Sequence, residues 1–305
     1  MATATVAPAQ VDSGHSDTVH DVQFDYYGRR LATCSSDRTI KVFETAGDQM
    51  AEVSQLVGHE GPVWQVTWAH PKFGSLLASC GFDHKVIVWK ELQESQWVQA
   101  YCAPMHSASV NSVAFAPHEL GLMLAAASSD GSISILSFHE GAWTPHKIQD
   151  AHTLGATAVS WSPAAPAGSL VSAKGPGQPE KRLASSGADN TVKVWRFDEK
   201  TGEWQQEGPA LTGHNDWVRD VAWAPNLGLP SNTLASAGQD GLVLIWSEGR
   251  DAPGTWTPTL LHDFKAPVWR VSWSVTGGIL AVSDSQGNVT LWKESLDGKW
   301  QQLAS

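Results

Sequence analysis

The chain has 305 residues, 20 basic against 31 acidic side chains, a net charge of −11, and 42% hydrophobic residues that include 16 tryptophans. That balance supports a sizeable core and offers no Lys/Arg run able to track a phosphate backbone, so direct nucleic-acid binding is excluded. No apolar stretch is long enough for a membrane helix and no charged-then-apolar start reads as a leader, so a soluble, cytoplasmic protein is expected.

In chain order a phrase recurs: LATCSSDRTIKVF from Leu31, LASCGFDHKVIVW from Leu77, LAAASSDGSISIL from Leu124, LASSGADNTVKVW from Leu183, LASAGQDGLVLIW from Leu234 and LAVSDSQGNVTLW from Leu280. The starts lie 46, 47, 59, 51 and 46 residues apart. A period near 45 built of short β-patterned runs predicts a propeller whose blades are four-stranded sheets. The blades are expected at about 15–57, 58–102, 103–149, 150–209, 210–262 and 263–305, following an N-terminal segment 1–14 with room for one extra strand.

A Val-x-x-Val-x-aromatic run makes the innermost strand of each blade, as in Val63, Val66 and Trp68, except that in the fourth only Val159 and Trp161 hold. The Leu phrase makes the second and third strands around a tight turn, and a later tryptophan opens the fourth. Thirteen of the sixteen tryptophans fall at first-strand ends, third-strand ends or fourth-strand starts, where flat blades need large side chains between them. Trp64, Trp217 and Trp269 remain, all near first-strand starts, either as an aromatic rim or as packing beneath a loop. Cys34 and Cys80 share one repeat position and read as small buried hydrophobes. The Pro/Gly-rich insert 164–181 reads as a solvated tether.

A His before the first strand, a hydroxyl on the second, the turn Asp and the third-strand Trp form candidate buried hydrogen-bond sets. They are His59, Ser79, Asp83 and Trp89; His152, Ser185, Asp189 and Trp195; and His214, Ser236, Asp240 and Trp246. Each bond contributes about 0.5–1.5 kcal/mol net. Blade one keeps His15, Thr33 and Asp37 but has Phe43 for the Trp; blade three keeps His106 and Asp130 but has Ala126 and Leu136. In blade six Val282 and Gln286 replace the hydroxyl and the Asp, with Lys265 near the expected His position, so this blade should be the least braced. One His per blade cannot converge on a metal or a shared catalytic site, and no nucleophile elbow or phosphate-binding glycine loop occurs. No cofactor, metal or catalysis is expected.

Blade one already owns four strands and blade six its own outer strand near Lys299–Leu303, so none is left to trade between chain ends. The expected fold is therefore an open six-bladed WD-repeat β-propeller, completed by an insertion blade from a partner. The expected partner-facing residues are Val22, Phe24 and Phe43 of blade one and Phe264, Val271, Trp273 and Trp292 of blade six.

The phrases HDVQFDYYGRRLATCSSD (20–37), GHEGPVWQVTWAHPKFGSLLASC (58–80), HSASVNSVAFAPHE (106–119), ADNTVKVW (188–195), DWVRDVAWAPN (216–226), PVWRVSW and NVTLWKE resemble the Sec-thirteen family, and the resemblance covers nearly the whole chain. It implies a scaffold subunit of the COPII vesicle coat at ER exit sites, completed by a blade from a Sec-thirty-one-type partner. It implies a second place in the Y-shaped nuclear-pore scaffold with a related nucleoporin, and membrane association only through the coat. Two other readings are weighed. A substrate receptor of a ubiquitin ligase tends to carry an acidic residue after the third-strand Trp, where this chain has Lys90, Arg196, Ser247 and Lys293. A reader of modified peptides would have to use Trp64, Trp217 and Trp269.

Overall fold

The computed structural model describes residues 12–46, 49–165, 179–225, 231–249, 253–295 and 297–303. The extra strand anticipated within 1–14 and most of the insert 164–181 lie outside the described residues. The fold is all-β, a six-bladed β-propeller of WD repeats, and it divides into two compact units, Met1–Pro104 and Met105–Ser305.

The first unit holds two antiparallel sheets. Sheet one is β1 (Val19–Phe24), β2 (Arg30–Ser35), β3 (Thr39–Ala46) and β4 (Gln49–Val57); sheet two is β5 (Val63–Trp68), β6 (Leu76–Gly81), β7 (Val86–Gln93) and β8 (Gln96–Ala103). The second unit holds four. Sheet three is β9 (Val110–Phe115), β10 (Met123–Ser128), β11 (Ile133–His139) and β12 (Ala142–Ile148). Sheet four is β13 (Ala156–Trp161), β14 (Arg182–Gly187), β15 (Thr191–Asp198) and β16 (Glu203–Gln206), with β17 (Leu211–Thr212) also pairing β15. Sheet five is β18 (Val218–Trp223), β19 (Ser231–Gly238), β20 (Leu242–Gly249) and β21 (Trp256–Asp263); sheet six is β22 (Val268–Trp273), β23 (Leu280–Asp284), β24 (Val289–Glu294) and the short β25 (Trp300–Gln302).

The turn between second and third strands explains the fixed Asp. The residue after it, or after Gln286 in blade six, lies in the left-handed region: Arg38, His84 and Asn190 in three blades, Gly131, Gly241 and Gly287 in the others. A non-glycine residue there costs on the order of 1 kcal/mol. The Asp offsets this by accepting the next backbone N–H, as Asp37 does from Thr39 and Asp240 from Leu242.

Strand alternation gives every sheet two apolar faces. In sheet four the paired Leu183 and Trp195 join a cluster with Ala125, Ile133 and Ile135 of sheet three, while Ala184 and Val194 join Val218, Val221 and Trp246 of sheet five. The large motif residues thus face the preceding sheet and the smaller alternates face the following one. Sheet two obeys the same rule, packing Val63, Val66, Leu77 and Trp89 on Ala32, Cys34, Ile40 and Val42 of sheet one. Each fully buried aliphatic or aromatic side chain contributes about 1.5–3 kcal/mol gross. Cys34 and Cys80 are buried.

Every first strand also carries a bulge, in which two residues oppose one on the second strand. The extra residue is His20, Trp64, Asn111, Thr157, Arg219 or Trp269 in turn. The Val-x-x-Val spacing carries its trace: residues three apart face opposite sides of a regular strand, and the extra residue brings Val63 and Val66 into one cluster.

Candidate functional site

Hydrogen bonds run through the interior of each fully equipped blade. In blade two His59 Nδ1 lies 3.0 Å from the Asp83 carboxylate and Nε2 lies 2.8 Å from Ser79 Oγ, which accepts Trp89 Nε1–H at 2.9 Å. Blade four repeats this with His152 to Asp189 at 2.9 Å, His152 to Ser185 at 2.8 Å and Trp195 to Ser185 at 2.8 Å. In blade five His214 meets Asp240 at 3.1 Å and Ser236 at 2.8 Å, and Trp246 meets Ser236 at 2.9 Å. Only one assignment satisfies all four groups. The Trp donates to Ser, the Ser hydroxyl donates to Nε2, and a neutral imidazole donates Nδ1–H to a charged carboxylate. Burial pushes His152 and His214 below the usual histidine range, against the pull of Asp189 and Asp240. Burial works against the charge on Asp189 but is outweighed by hydrogen bonds from His152 and Thr191, which hold the carboxyl well below its usual range.

The incomplete blades are rewired. In blade one His15 spans Asp37 and Thr33, each at 2.8 Å. In blade three Ala126 offers no hydroxyl, and Ser134, its cross-strand partner on β11, takes its place at 2.9 Å from His106 Nε2. Blade six uses the same substitution. Thr290 stands opposite Val282 and accepts Trp292 Nε1–H at 2.9 Å. Here no His–Asp pair follows; His262 and Phe264 pack on the Trp292 ring with centroids 5.2 and 6.0 Å away. Asp284 caps the turn instead, accepting from the N–H groups of Gln286 and Asn288. Cross-strand neighbours share a face, so a hydroxyl can migrate between strands without leaving the interior. Sequence reasoning checked only the second strand and missed both.

A second layer of polar contacts joins consecutive sheets. A side chain on one first strand accepts a backbone N–H from the next: Asp21 from Val66 at 3.2 Å, Ser112 from Val159 at 3.3 Å, Ser160 from Trp223 at 2.9 Å and Asp220 from Val271 at 3.0 Å. Burial pushes the Asp220 carboxyl above its usual range, opposed by Arg270 and two backbone N–H donors. Trp68, Trp161 and Trp273 donate their indole N–H to the preceding sheet, on the carbonyls of Gln23, Ala114 and Ala222. Farther out, Arg30 pairs with Glu91 at 2.7 Å, and buried Arg182 bonds Glu207 at 2.7 Å and Glu248 at 2.9 Å.

The faces at the two ends of the series have no neighbouring sheet within their own unit. On sheet one this is the motif face, bearing Val22 and Phe24, which are 55% and 58% exposed, together with buried Phe43. On sheet six it is the alternate face, where Val289 and Leu291 are 65% and 43% exposed. The blade-six residues expected to face a partner are therefore corrected. Phe264, Val271, Trp273 and Trp292 pack into the cluster with Ala235, Val243 and Ile245 of sheet five. The error is one of phase: in the last blade, as in all others, large motif side chains point back along the chain.

The three leftover tryptophans separate. Trp64 meets His20 edge-on at 4.6 Å in the first unit, while Trp217 and Trp269 in the second flank the guanidinium of Arg219 at 5.2 and 4.8 Å. Among the described residues no group of three or more His, Cys, Asp or Glu side chains is placed to hold a metal ion, and no helix is long and apolar enough to cross a membrane.

The family described as WD domain, G-beta repeat matches residues 7–44, 50–90, 99–136, 143–196 and 206–247, which leaves the rewired sixth blade unmatched. A protein transport protein sec13 of Emericella nidulans is 48% identical over 309 residues, covering 98% of both chains. A SEC13 homolog of Drosophila melanogaster is 49% identical across 96% of this chain and 82% of its own. A protein transport protein SEC13 of Mycosarcoma maydis is 46% identical, covering 96% and 93%. With that identity along nearly its whole length and WD repeats beneath it, the chain belongs to the Sec-thirteen family of protein transport proteins.

Proposed function

We propose that this chain is a non-catalytic scaffold subunit of the COPII vesicle coat in ER-to-Golgi transport, completed by strands from a Sec-thirty-one-type partner. The names of its relatives support protein transport. The observation that carries the scaffold reading is the apolar area at the two ends of the repeat series, Val22 and Phe24 on sheet one and Val289 and Leu291 on sheet six. A sheet with a neighbour on only one side is an unfinished layer, and monomers rarely leave such area in water. Covering both faces buries on the order of 800 Å² of apolar surface, about 20 kcal/mol gross as an upper bound. That exceeds an association cost of about 4–15 kcal/mol.

The same surface accounts for a second place in the nuclear-pore Y-shaped scaffold, where a related nucleoporin supplies the strands. The protein then sits in the cytoplasm, at ER exit sites and COPII vesicles and at nuclear-envelope pores, reaching the membrane only through its assembly. The hydrogen-bond sets hold the blades and perform no chemistry, since each His–Asp pair is buried between the entry loop and the turn of its own blade.

Co-purification from cells with identification of large bound partners tests this reading. Phe24→Asp or Leu291→Asp should reduce recovery of the coat partner at least tenfold, the effect of about 1.4 kcal/mol, because each buries an unpaired charge in the contact. Both side chains are exposed in the free chain, so its melting temperature should hold. Full recovery with both variants would refute strand addition at these faces.

A further inference from the structure

One group in the second unit lies outside both the blade wiring and the sheet-to-sheet contacts. Arg219 is the extra residue of the β18 bulge, which turns its side chain out of the sheet's alternation. Its Nε and Nη2 both donate to Gln239 Oε1, at 2.9 and 2.7 Å, and the Gln239 backbone N–H donates to the Trp217 carbonyl at 2.8 Å. One edge of the guanidinium is thereby anchored. Nη1 donates to no protein acceptor among the described residues. The guanidinium carbon lies 5.2 Å from the Trp217 ring centroid and 4.8 Å from that of Trp269, and these two tryptophans are 46% and 47% exposed.

The arrangement has the chemistry of a receptor. A guanidinium presents a planar fork matched to a carboxylate, and packing it between indoles removes part of its water, strengthening whatever bond its free edge makes. The indoles offer amphipathic walls that an apolar neighbour of the carboxylate would cover. The Asp216 carboxylate acts on Arg219 through its charge, and Asp216 is already engaged by the Trp217 backbone N–H. A polyanion is disfavoured, because a chain of net charge −11 repels it and one guanidinium cannot compensate many charges.

The geometry points to Trp217, Arg219 and Trp269 as a docking site for an acidic peptide segment of a partner protein, one Glu or Asp carboxylate on the free guanidinium edge and flanking apolar side chains on the two indoles. The site uses none of the residues that carry the exposed faces of sheets one and six, and it stands whether or not those faces take a coat partner.

The test uses the full chain on an array of N-acetylated, C-amidated nonapeptides with a central Glu flanked by Leu or Phe, each matched by its Gln counterpart. Retention should favour Glu by about tenfold, the value of one charge-assisted pair. Arg219→Gln should abolish that preference, Arg219→Lys should retain part of it, and Trp217→Ala or Trp269→Ala should weaken both peptide sets. A melting temperature equal to the wild type qualifies each variant, and the wild-type Glu-over-Gln comparison decides the matter even if a variant unfolds. Equal retention of Glu and Gln peptides, preference surviving in Arg219→Gln, or capture only by vesicles of anionic phospholipid would each overturn the proposal. Arg219→Gln should still co-purify with the coat partner; losing it would assign these residues to that interface instead.

Discussion

Blade five and blade six carry the same four-stranded sheet, yet they are braced by different means. Blade five runs an unbroken line from Trp246 through Ser236 and His214 to Asp240, which also holds the backbone of Asn215 and Leu242. Blade six keeps only the first link, from Trp292 to the Thr290 hydroxyl on its own strand, and packs the rings of His262 and Phe264 on that indole. The difference separates two functions of the wiring. Satisfying the buried indole needs only one hydroxyl on either of two strands. Tying the loop before the blade to its inner turn through side chains needs the His and Asp together; blade six keeps only the backbone bond from the Ser285 N–H to the Pro267 carbonyl. Lys265, at the corresponding place, pairs with its own neighbour Asp263.

The sharpest way to break this contrast is at the turn. Asp240→Ala should cost about 2–4 kcal/mol, since it strands a buried imidazole N–H and two backbone donors. Urea or thermal unfolding measures it, and a neutral result would mean that the line contributes nothing beyond packing.

Acid should divide the blades next. His152 and His214 have folded values below the ordinary 6.5, so the unfolded chain binds protons first and stability declines as pH falls below about 6.5. Asp37, Asp130 and Asp189 are likewise depressed, so their contribution is complete above the ordinary value of 3.8 and is lost only as pH falls through the lower folded values. Blade six has no such His, so as pH falls from 6.5 to 5 the protection of amides against exchange, relative to their intrinsic rates, should drop in β15 and β20 before it does in β24.

A smaller effect tests the migrated hydroxyl. Thr290→Val should cost about 1–2 kcal/mol by leaving the Trp292 N–H unpaired, and adding Val282→Ser should recover part of it by moving the acceptor back across the strand pair. Unfolding midpoints of the single and double variants decide this. The smallest change is expected at Gln286→Ala, below about 0.5 kcal/mol, because this turn is held by Asp284. A large loss there would erase the distinction between the two blades.

Much of this was legible in the sequence because it is carried by spacing. A Leu followed six residues later by Asp and twelve later by Trp fixes two strands and their turn, and His59, Ser79, Asp83 and Trp89 meet in space because that spacing sets the register. Two things escaped. Ser134 and Thr290 sit one strand over from the expected position, and a cross-strand partner is not a sequence neighbour. The direction in which each face looks also escaped, so Val271 and Trp292 were placed on the wrong side of sheet six. Alternation separates two faces, but only the order in which sheets stack decides which one meets the preceding sheet. The role of the bulge residue Arg219 was hidden for a related reason: it arises from Trp269, fifty positions away.

The acceptors that reach from one first strand to the next have a consequence for how such a protein can be rearranged. Asp220 belongs to blade five but is completed by the backbone of Val271 in blade six, and Ser160 in blade four is completed by Trp223 in blade five. A single blade is therefore not a self-contained cassette. Transplanting blade five alone would carry Asp220 away from its donor and leave Ser160 facing a foreign strand, so recombination between relatives should succeed only when exchanged segments travel with the inner strand that follows them.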